Sequence, residues 1–262
     1  MISYAQNGED VVLMRAFADV KDGFYVDVGA WDPVIYSVTK CFYDAGWRGL
    51  NLEPQPDLCA LLNAQRPRDI NLPIAASDAD GLATLWVTKH SPLSTINRSI
   101  IDPNIADYAI VQRVETRTAK LSRILDDHAG ERDIHFLKID VEGHEAEVLC
   151  GVDFNRHRPI VLVIEATCPI TNAPIWPKWE SIVLDAGYQF ALFDGLNRFY
   201  VCKERTDLLP TLSHPANCLD RYLTHRESQL QARLEAVDDE LCRVRSELAK
   251  ATGRVSSPTS TS

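Results

Sequence analysis

Titratable side chains are concentrated in one short segment of the chain, LKIDVEGHE at residues 137–145. Asp140, Glu142, His144 and Glu145 follow directly on an apolar run. Carboxylates and imidazole can accept a proton from a reacting group, and His144 has the ordinary pKa closest to neutrality. Acids at such a position can also favour the N-terminus of a helix through its dipole, which is the role we expect for Glu145.

Other apolar runs end in acids or glycine in the same way. One run ends in Asp27, Gly29 and Ala30, where small residues let the backbone approach a ligand, and another ends in Glu53. No G-x-G-x-x-G follows Gly29, so a dinucleotide pyrophosphate site is disfavoured. An acid at position 53 can accept hydrogen bonds from both hydroxyls of a ribose. The pattern therefore suggests a nucleoside without a diphosphate.

Glu165 ends a further apolar run, as Asp140 does. These two carboxylates could share a divalent ion such as Mg²⁺, which prefers oxygen ligands and would bind the oxygen of an acceptor. The alternative is that no metal is used. The role of Glu142, a third candidate catalytic residue, depends on which alternative holds.

Strands and helices in alternation must bring these residues together. Apolar spacing and turn signals predict strands at 24–30, 49–54, 70–76, 83–87, 134–140 and 159–166, then an antiparallel hairpin made of QFALFDG and RFYVC. They predict helices after a Ser3–Gln6 capping box, over 34–43, over 57–65 and from about Glu145. Strands apolar on both faces indicate an α/β fold with a mostly parallel, doubly wound sheet. The polar stretch at 90–99 is long enough to be a lid or a substrate loop.

The C-terminal part of the chain has a different pattern. Apolar residues recur four and three positions apart, as in a heptad seam: Leu230, Leu234, Val237, Leu241, Val244 and Leu248. Charged neighbours are placed to attract between parallel chains, namely Arg233 with Asp238 and Glu240 with Arg245. We expect either a coiled coil that assembles copies or binds a partner protein, or an amphipathic helix packed on its own domain. The expected divisions are a domain at 1–210, a helical segment at 220–250 and a disordered tail at 251–262.

Composition narrows the class of protein. The 262 residues carry a formal net charge of -10, which argues against a nucleic-acid partner. The seven cysteines are odd in number and never form C-x-x-C, so we expect reduced thiols, most of them in the core. The N-terminus lacks the features of a signal peptide, and no apolar run approaches the roughly 20 residues of a membrane span. A cytoplasmic protein is therefore the expectation.

Several segments, in order, resemble the FkbM-type methyltransferases, which use S-adenosylmethionine. They are SYAQNGEDVVL, GFYVDVGAWDP, SVTKCFYDAGWRGLNLEPQPD, LKIDVEGHE and VLVIEA. The resemblance covers residues 3 to about 203. It implies the class I Rossmann-like methyltransferase fold and methyl transfer to a hydroxyl, commonly on a sugar or glycan and sometimes on a polyketide.

The resemblance also implies roles by position. Asp27, Gly29 and Ala30 would hold the methionine end of the cofactor, Glu53 the ribose hydroxyls, and Ser77 with Asp78 the adenine. Trp31 departs from the small polar residue expected after glycine and alanine. Aromatic candidates for stacking on a sugar, if they are not core residues, are Tyr4, Trp31, Tyr36, Trp176 and Trp179.

An aliphatic hydroxyl is a poor nucleophile, so a base, a metal or both would help the transfer. We expect His144 to take the proton while Asp140 positions the cofactor or the acceptor. The predicted function is O-methylation of a sugar or glycan hydroxyl, whether free, nucleotide-linked or terminal. The alternatives are a polyketide or other small-molecule hydroxyl, and a non-catalytic oligomerising module with the same fold. A nicotinamide oxidoreductase is opposed by the missing glycine loop.

Overall fold

The computed structural model describes residues 1–168 and 170–255, which form two compact units. One unit comprises residues 4–220, and the other comprises residues 1–3 and 221–255. The tail predicted to be disordered lies, from residue 256 onward, outside the described residues. The predicted division into domains stays a prediction.

The strands, in chain order, are β1 (Ile2–Ser3), β2 (Phe24–Val28), β3 (Arg48–Leu52), β4 (Ile70–Leu72), β5 (Ile74–Ser77), β6 (Gly81–Thr88), β7 (Ile110–Lys120), β8 (Phe136–Ile139), β9 (Val161–Glu165), β10 (Tyr188–Phe193), β11 (Asn197–Cys202) and β12 (Leu223–Thr224). The α-helices are α1 (Glu9–Ala16), α2 (Lys40–Asp44), α3 (Pro56–Gln65), α4 (Leu121–His128), α5 (Glu145–Cys150), α6 (Glu180–Asp185), α7 (Leu209–Leu212) and α8 (His225–Val255).

A seven-stranded sheet forms the centre of the larger unit, in the order β10-β11-β9-β8-β2-β3-β4. The pairs from β9 to β4 are parallel, and β11 runs antiparallel to both β9 and β10. This confirms the α/β fold class and the closing antiparallel hairpin. Because β2, β3, β8 and β9 are parallel, their carboxyl ends meet at one edge of the sheet.

The two faces of the sheet belong to two apolar clusters. Strand β2 contributes Phe24, Val26 and Val28 to one cluster and Tyr25 to the other, as the period of two in a strand requires. Asp27 therefore lies on the Tyr25 face, where the apolar surroundings are interrupted by polar side chains. The register of β2 with β8 pairs Asp27 with Lys138.

The helix predicted over 34–43 is mostly wrong, since α2 begins only at Lys40. Residues 33–39 instead wrap around the buried guanidinium of Arg66. This group donates to the carbonyl oxygen of Pro33 and to the hydroxyls of Ser37 and Thr39, at 3.1, 2.6 and 2.7 Å. Tertiary hydrogen bonds thus replace the helical ones that apolar spacing alone suggests.

Two further sequence expectations need correction. The strand predicted at 70–76 is interrupted at Pro73, which has no amide to donate, and its second half, β5, joins a separate three-stranded sheet in the order β5-β7-β6. Ser3 does not cap the first helix, because it lies in β1 and α1 begins after Gly8, whose φ is 77°. The helix predicted at 57–65 is confirmed as α3.

The smaller unit pairs β1 with β12 in parallel, and α8 follows β12 directly. A reciprocal capping box begins α8. The Glu227 carboxylate accepts from the amide of Thr224 at 2.8 Å, and the amide of Glu227 donates to the Thr224 hydroxyl at 3.2 Å. The hydrogen bonds that this carboxylate accepts from the amide and the hydroxyl of Thr224 lower the pKa of Glu227. Along this helix Leu230, Leu234, Val237, Leu241 and Val244 are 43–66% exposed.

The structure bears on two expectations, one about the cysteines and one about membrane-spanning helices. All seven cysteines are free, but only Cys41, Cys59 and Cys202 are buried, so the expectation that most lie in the core is wrong. Within the described part of the chain, no helix is both long and apolar enough to cross a membrane.

Candidate functional site

Two adjoining cavities lie at the edge where the parallel strands end. The first is lined by the ends of β3 and β5 and by the turn after β8, and the second by the ends of β8 and β9 and by residues near the N-terminus. The two cavities share Gly29, Trp31, Pro92, Asp140 and Glu142. The two cavities therefore adjoin at the ends of β2 and β8.

Gly29 allows two strand ends to meet. Its φ is 80°, and a Cβ placed on it would lie 1.8 Å from the carbonyl oxygen of Asp140. Only glycine fits such an approach. The amides of Gly29 and Ala30 both donate to the carbonyl oxygen of Leu52, at 3.0 and 3.2 Å, so they join β2 to β3. Gly29 faces both cavities, whereas Ala30 faces the second.

Glu53 lines the first cavity and is almost fully buried. Its carboxylate accepts from the amides of Trp31 and Gln55, at 2.9 and 2.8 Å. Burial raises the pKa of Glu53 to about 7, although these amide hydrogen bonds oppose the shift. A carboxylate has about four acceptor positions, so it can still bind both hydroxyls of a ribose.

Asp27 lies beneath the site rather than in it. It is 1% exposed and is not among the described residues that line either cavity. Its carboxylate accepts from the Thr39 hydroxyl at 3.0 Å and lies 3.4 Å from Lys138 Nζ. The predicted direct contact of Asp27 with the cofactor is therefore not supported by this placement.

Lys138 is a site residue that the sequence reasoning missed. It lines the second cavity, its Nζ lies 3.4 Å from Asp140 Oδ2, and it donates to the Gly29 carbonyl at 3.1 Å. Burial alone would lower the pKa of Lys138, but Asp27 and Asp140 outweigh it and raise the pKa above its usual value. A lysine inside a buried strand, two residues before Asp140 and so on the same face, was the available signal.

His144 lines the first cavity but not the second. Its Nε2 is 3.0 Å from the Ser77 hydroxyl and its Nδ1 is 3.4 Å from Glu147. Burial lowers the pKa of His144, opposed by Glu147 and Asp78. The structure thus brings His144 together with Ser77 and Asp78, the residues predicted for adenine, and the predicted role of His144 as the base stays a prediction.

Asp140, Glu142 and Glu165 form an acid cluster in the second cavity. One carboxylate oxygen from each lies within 4.8 Å of the others. Burial raises the pKa of Glu142 and of Glu165 well above the usual range, and the neighbouring acids raise it further. Glu145 is separate, since its carboxylate accepts from the amides of the 141–143 turn at 3.0 and 3.2 Å. Burial raises its pKa to about 7.

The loop at 90–99 holds the turn after β8. The Thr95 hydroxyl donates to the carbonyl oxygen of Glu142 at 2.8 Å, and the side-chain amide of Asn97 donates to the carbonyl oxygen of Gly143 at 2.6 Å. Glu142 and Gly143 both have positive φ values, 54° and 85°. Residues of this loop line both cavities, and its role as a lid or a substrate loop stays a prediction.

A stacked aromatic pair, Trp31 and Tyr36, lies in the wall of the second cavity. The ring centroids are 6.0 Å apart at an interplanar angle of 20°, and the Trp31 indole donates to the Ser91 hydroxyl at 3.2 Å. Both residues have left-handed backbones, with φ 49° and 55°. The other aromatic candidates, Tyr4, Trp176 and Trp179, do not line either cavity among the described residues.

Another part of the wall of the second cavity is polar. Asn197 begins β11, and its side-chain amide donates at 2.8 Å to the carboxylate of Glu9, which begins α1. Burial raises the pKa of Glu9 to about 7. Sequence reasoning did not select Asn197 as a site residue. Gln6 and Glu9, which line the same cavity, belong to a segment that carries the family resemblance. This wall supplies carboxylate and amide groups suited to hydroxyl ligands.

Comparisons with known proteins found a matching family model and similar solved structures. The family model described as the Methyltransferase FkbM domain matches residues 27–190. Among solved structures, the chain is similar to a TehB-like SAM-dependent methyltransferase from Corynebacterium glutamicum, at 10% identity and a TM-score of 0.41, over 74% of this chain and 88% of that one. No curated protein matches. The match over residues 27–190 shows that the chain belongs to the FkbM methyltransferases, a family that implies S-adenosylmethionine as the methyl donor.

Proposed function

We propose that the protein transfers a methyl group from S-adenosylmethionine to a hydroxyl of a sugar or glycan. The observation that carries the proposal is the pair of adjoining cavities that share Asp140 and Glu142. One suits a nucleoside, and the other combines an aromatic wall with a polar one. Carbohydrates present apolar ring faces and hydroxyl edges, so they match both walls.

The residues of the first cavity fit the cofactor. Glu53 offers acceptor positions to the ribose hydroxyls, while Ala76 and His144 bound the space where an adenine would lie. Gly29, which lets the Asp140 backbone approach closely, lines the same cavity as Glu53. When bound, S-adenosylmethionine supplies an activated methyl group on a sulfonium, so the chain's own task is to orient the acceptor and handle its proton.

We assign activation of the acceptor hydroxyl to the acid cluster rather than to His144. Asp140, Glu142 and Glu165 face the second cavity, where the acceptor would bind. Burial raises the pKa of Glu142 and of Glu165, which makes each a stronger base when it is ionised. Of the two cavities, His144 lines only the first. We therefore assign it a role in binding the cofactor and not the role of the base.

Methyl transfer to a panel of acceptors tests this proposal. With labelled S-adenosylmethionine, we expect product with free, nucleotide-linked or glycan-terminal sugars and none with hydroxylated polyketides. Glu142→Gln should lower kcat strongly, whereas His144→Ala should mainly weaken binding of S-adenosylhomocysteine in calorimetry. Polyketide methylation without sugar methylation would refute the acceptor class. An unchanged kcat in Glu142→Gln would refute the role of the cluster.

The exposed apolar residues of α8 favour one additional role, assembly. We propose that α8 forms a parallel coiled coil between copies of this chain, in which Arg233 lies near Asp238 and Glu240 near Arg245 of the neighbouring helix. The alternative of a non-catalytic oligomerising module predicts the same assembly. Absence of any heat with S-adenosylhomocysteine would favour that module.

A further inference from the structure

The carboxylates of Asp140, Glu142 and Glu165 converge from three different segments. Asp140 follows β8, Glu142 belongs to the next turn, and Glu165 ends β9, yet one oxygen of each lies within 4.8 Å of the others. Opposite oxygen ligands of a Ca²⁺ ion lie about 4.8 Å apart, and those of Mg²⁺ about 4.2 Å apart. Three ligands of one ion cannot all lie opposite one another, so oxygens within 4.8 Å of one another are near enough to close around a shared hard cation.

Two of these side chains have an oxygen with unsatisfied bonding capacity. Glu142 Oε2 and Glu165 Oε2 are buried, and neither has a hydrogen-bond partner among the described residues. Glu142 as a whole is only 9% exposed. A buried carboxylate oxygen without a partner is costly, because it gives up water and receives nothing in return. A cation between the carboxylates would supply the missing interaction.

The charge balance points the same way. The nearby cation, Lys138, is shared between Asp27 and Asp140, at 3.4 Å from each. In the described part of the chain, neither Glu142 nor Glu165 is in an ion pair with a lysine, arginine or histidine. One lysine therefore faces an excess of buried acid. Acids this close together cannot all stay ionised in a protein interior unless a cation compensates their charge.

The backbone at Glu142 is held in a conformation that a non-glycine residue rarely adopts. Its φ of 54° is maintained by the bonds from Thr95 and Asn97 to the carbonyl oxygens of residues 142 and 143. Left-handed backbone of this kind is strained in a non-glycine residue and persists at functional sites, where it sets the direction of a side chain. Here it directs the Glu142 carboxylate toward Asp140 and Glu165.

We propose that Asp140, Glu142 and Glu165 bind one hard divalent cation of the Mg²⁺ and Ca²⁺ class. The sequence suggested only Asp140 and Glu165, and the structure adds Glu142 as the third ligand. The catalytic part of the inference rests on the proposed function. A cation here would bind the acceptor oxygen at an open position and lower the pKa of the acceptor hydroxyl.

Direct metal binding tests this inference without turnover. The full chain, stripped with a chelator, is titrated with Mn²⁺ and followed by electron paramagnetic resonance, with Mg²⁺ and Ca²⁺ as competitors. We expect one Mn²⁺ per chain, displaced by the competitors. Glu142→Gln and Glu165→Gln should each weaken binding by about tenfold or more, since each removes a ligand charge. Asp107→Asn, an acid-to-amide change in the same cavity but outside the cluster, should leave the affinity unchanged.

The controls separate this inference from the proposed function. Thermal melting and calorimetry with S-adenosylhomocysteine report whether each variant is folded and binds cofactor. Folded protein that binds S-adenosylhomocysteine but no Mn²⁺ overturns the cation site and leaves the methyltransferase proposal intact. Binding that is equally tight in Glu142→Gln and Glu165→Gln also overturns the site. Mn²⁺ binding with the expected losses, in protein that methylates no sugar, supports the site and refutes the acceptor class.

Discussion

Glu53 titrates in a range where its role can be measured, because burial raises its pKa to about 7. Below that pH the carboxyl is mostly protonated and accepts fewer hydrogen bonds from a ribose. We therefore expect the affinity for S-adenosylhomocysteine to rise from pH 6 to pH 8, by up to about tenfold per unit below the pKa, and then to level off. Calorimetry across this range measures the change.

Substitution isolates Glu53 from other titrating groups. Glu53→Gln should bind S-adenosylhomocysteine more weakly and with an affinity that no longer varies over the same pH range. Asp57→Asn, an exposed acid on α3, should keep the wild-type rise. A wild-type affinity independent of pH would contradict the assignment of the ribose hydroxyls to Glu53.

Substitution of Tyr36 should weaken binding of the acceptor and leave binding of the cofactor unchanged. Its ring lines the second cavity only and is half exposed. If a sugar packs on this ring, Tyr36→Ala should raise KM for the acceptor by roughly 3- to 10-fold, from the ~0.5–1.5 kcal/mol of an aromatic contact. Steady-state kinetics would show little change in kcat. Tyr36→Phe keeps the ring and serves as the matched control, so an equal rise in both variants would count against stacking.

At the scale of elements, the site depends on how closely the turn after β2 approaches the end of β8. Gly29→Ala would place a Cβ 1.8 Å from the Asp140 carbonyl and strain a φ of 80°. We expect it to destabilise the protein by about 3 kcal/mol or more. Gly130→Ala also strains a positive φ, 63°, but its Cβ would meet nothing within 4 Å. It should cost only about 1 kcal/mol.

Thermal or urea unfolding of these two variants measures the difference. If Gly29→Ala yields no soluble protein while Gly130→Ala folds normally, this outcome also indicates a large loss of stability in Gly29→Ala. Equal and small effects of both substitutions would show that the two strand ends do not approach as closely as described.

At the scale of the whole molecule, assembly through α8 makes a separate prediction. Leu234→Lys with Leu241→Lys places charge in the proposed seam, so the apparent mass in gel filtration should fall to that of a monomer. Ala236→Lys adds a charge to the same helix outside the seam and should leave the mass unchanged. An identical mass for the wild type and the double variant would refute the coiled coil.

Much of the fold could be predicted from the sequence, because its signals are local. The alternation of apolar strands and helices, the closing hairpin and the positions of Asp140, Glu53 and Glu165 at strand ends are set by side-chain periodicity and chain order. Membership in the FkbM family follows from segments that lie in order along the chain. Residues 34–39 escaped this reasoning, because the partner of that loop, Arg66, is distant in sequence.

Tertiary structure alone decided which charged residues meet. Strand order and register pair Asp27 with Lys138, and the turn after β8 places Glu142 in the walls of both cavities but His144 in that of the first. Local sequence determines where a chain extends or coils, since those preferences act over a few residues. Distances between carboxylates of separate strands depend on packing of the whole sheet. The sequence by itself therefore determined the fold and the family, and only the folded chain placed Asp140, Glu142 and Glu165 within 4.8 Å of one another.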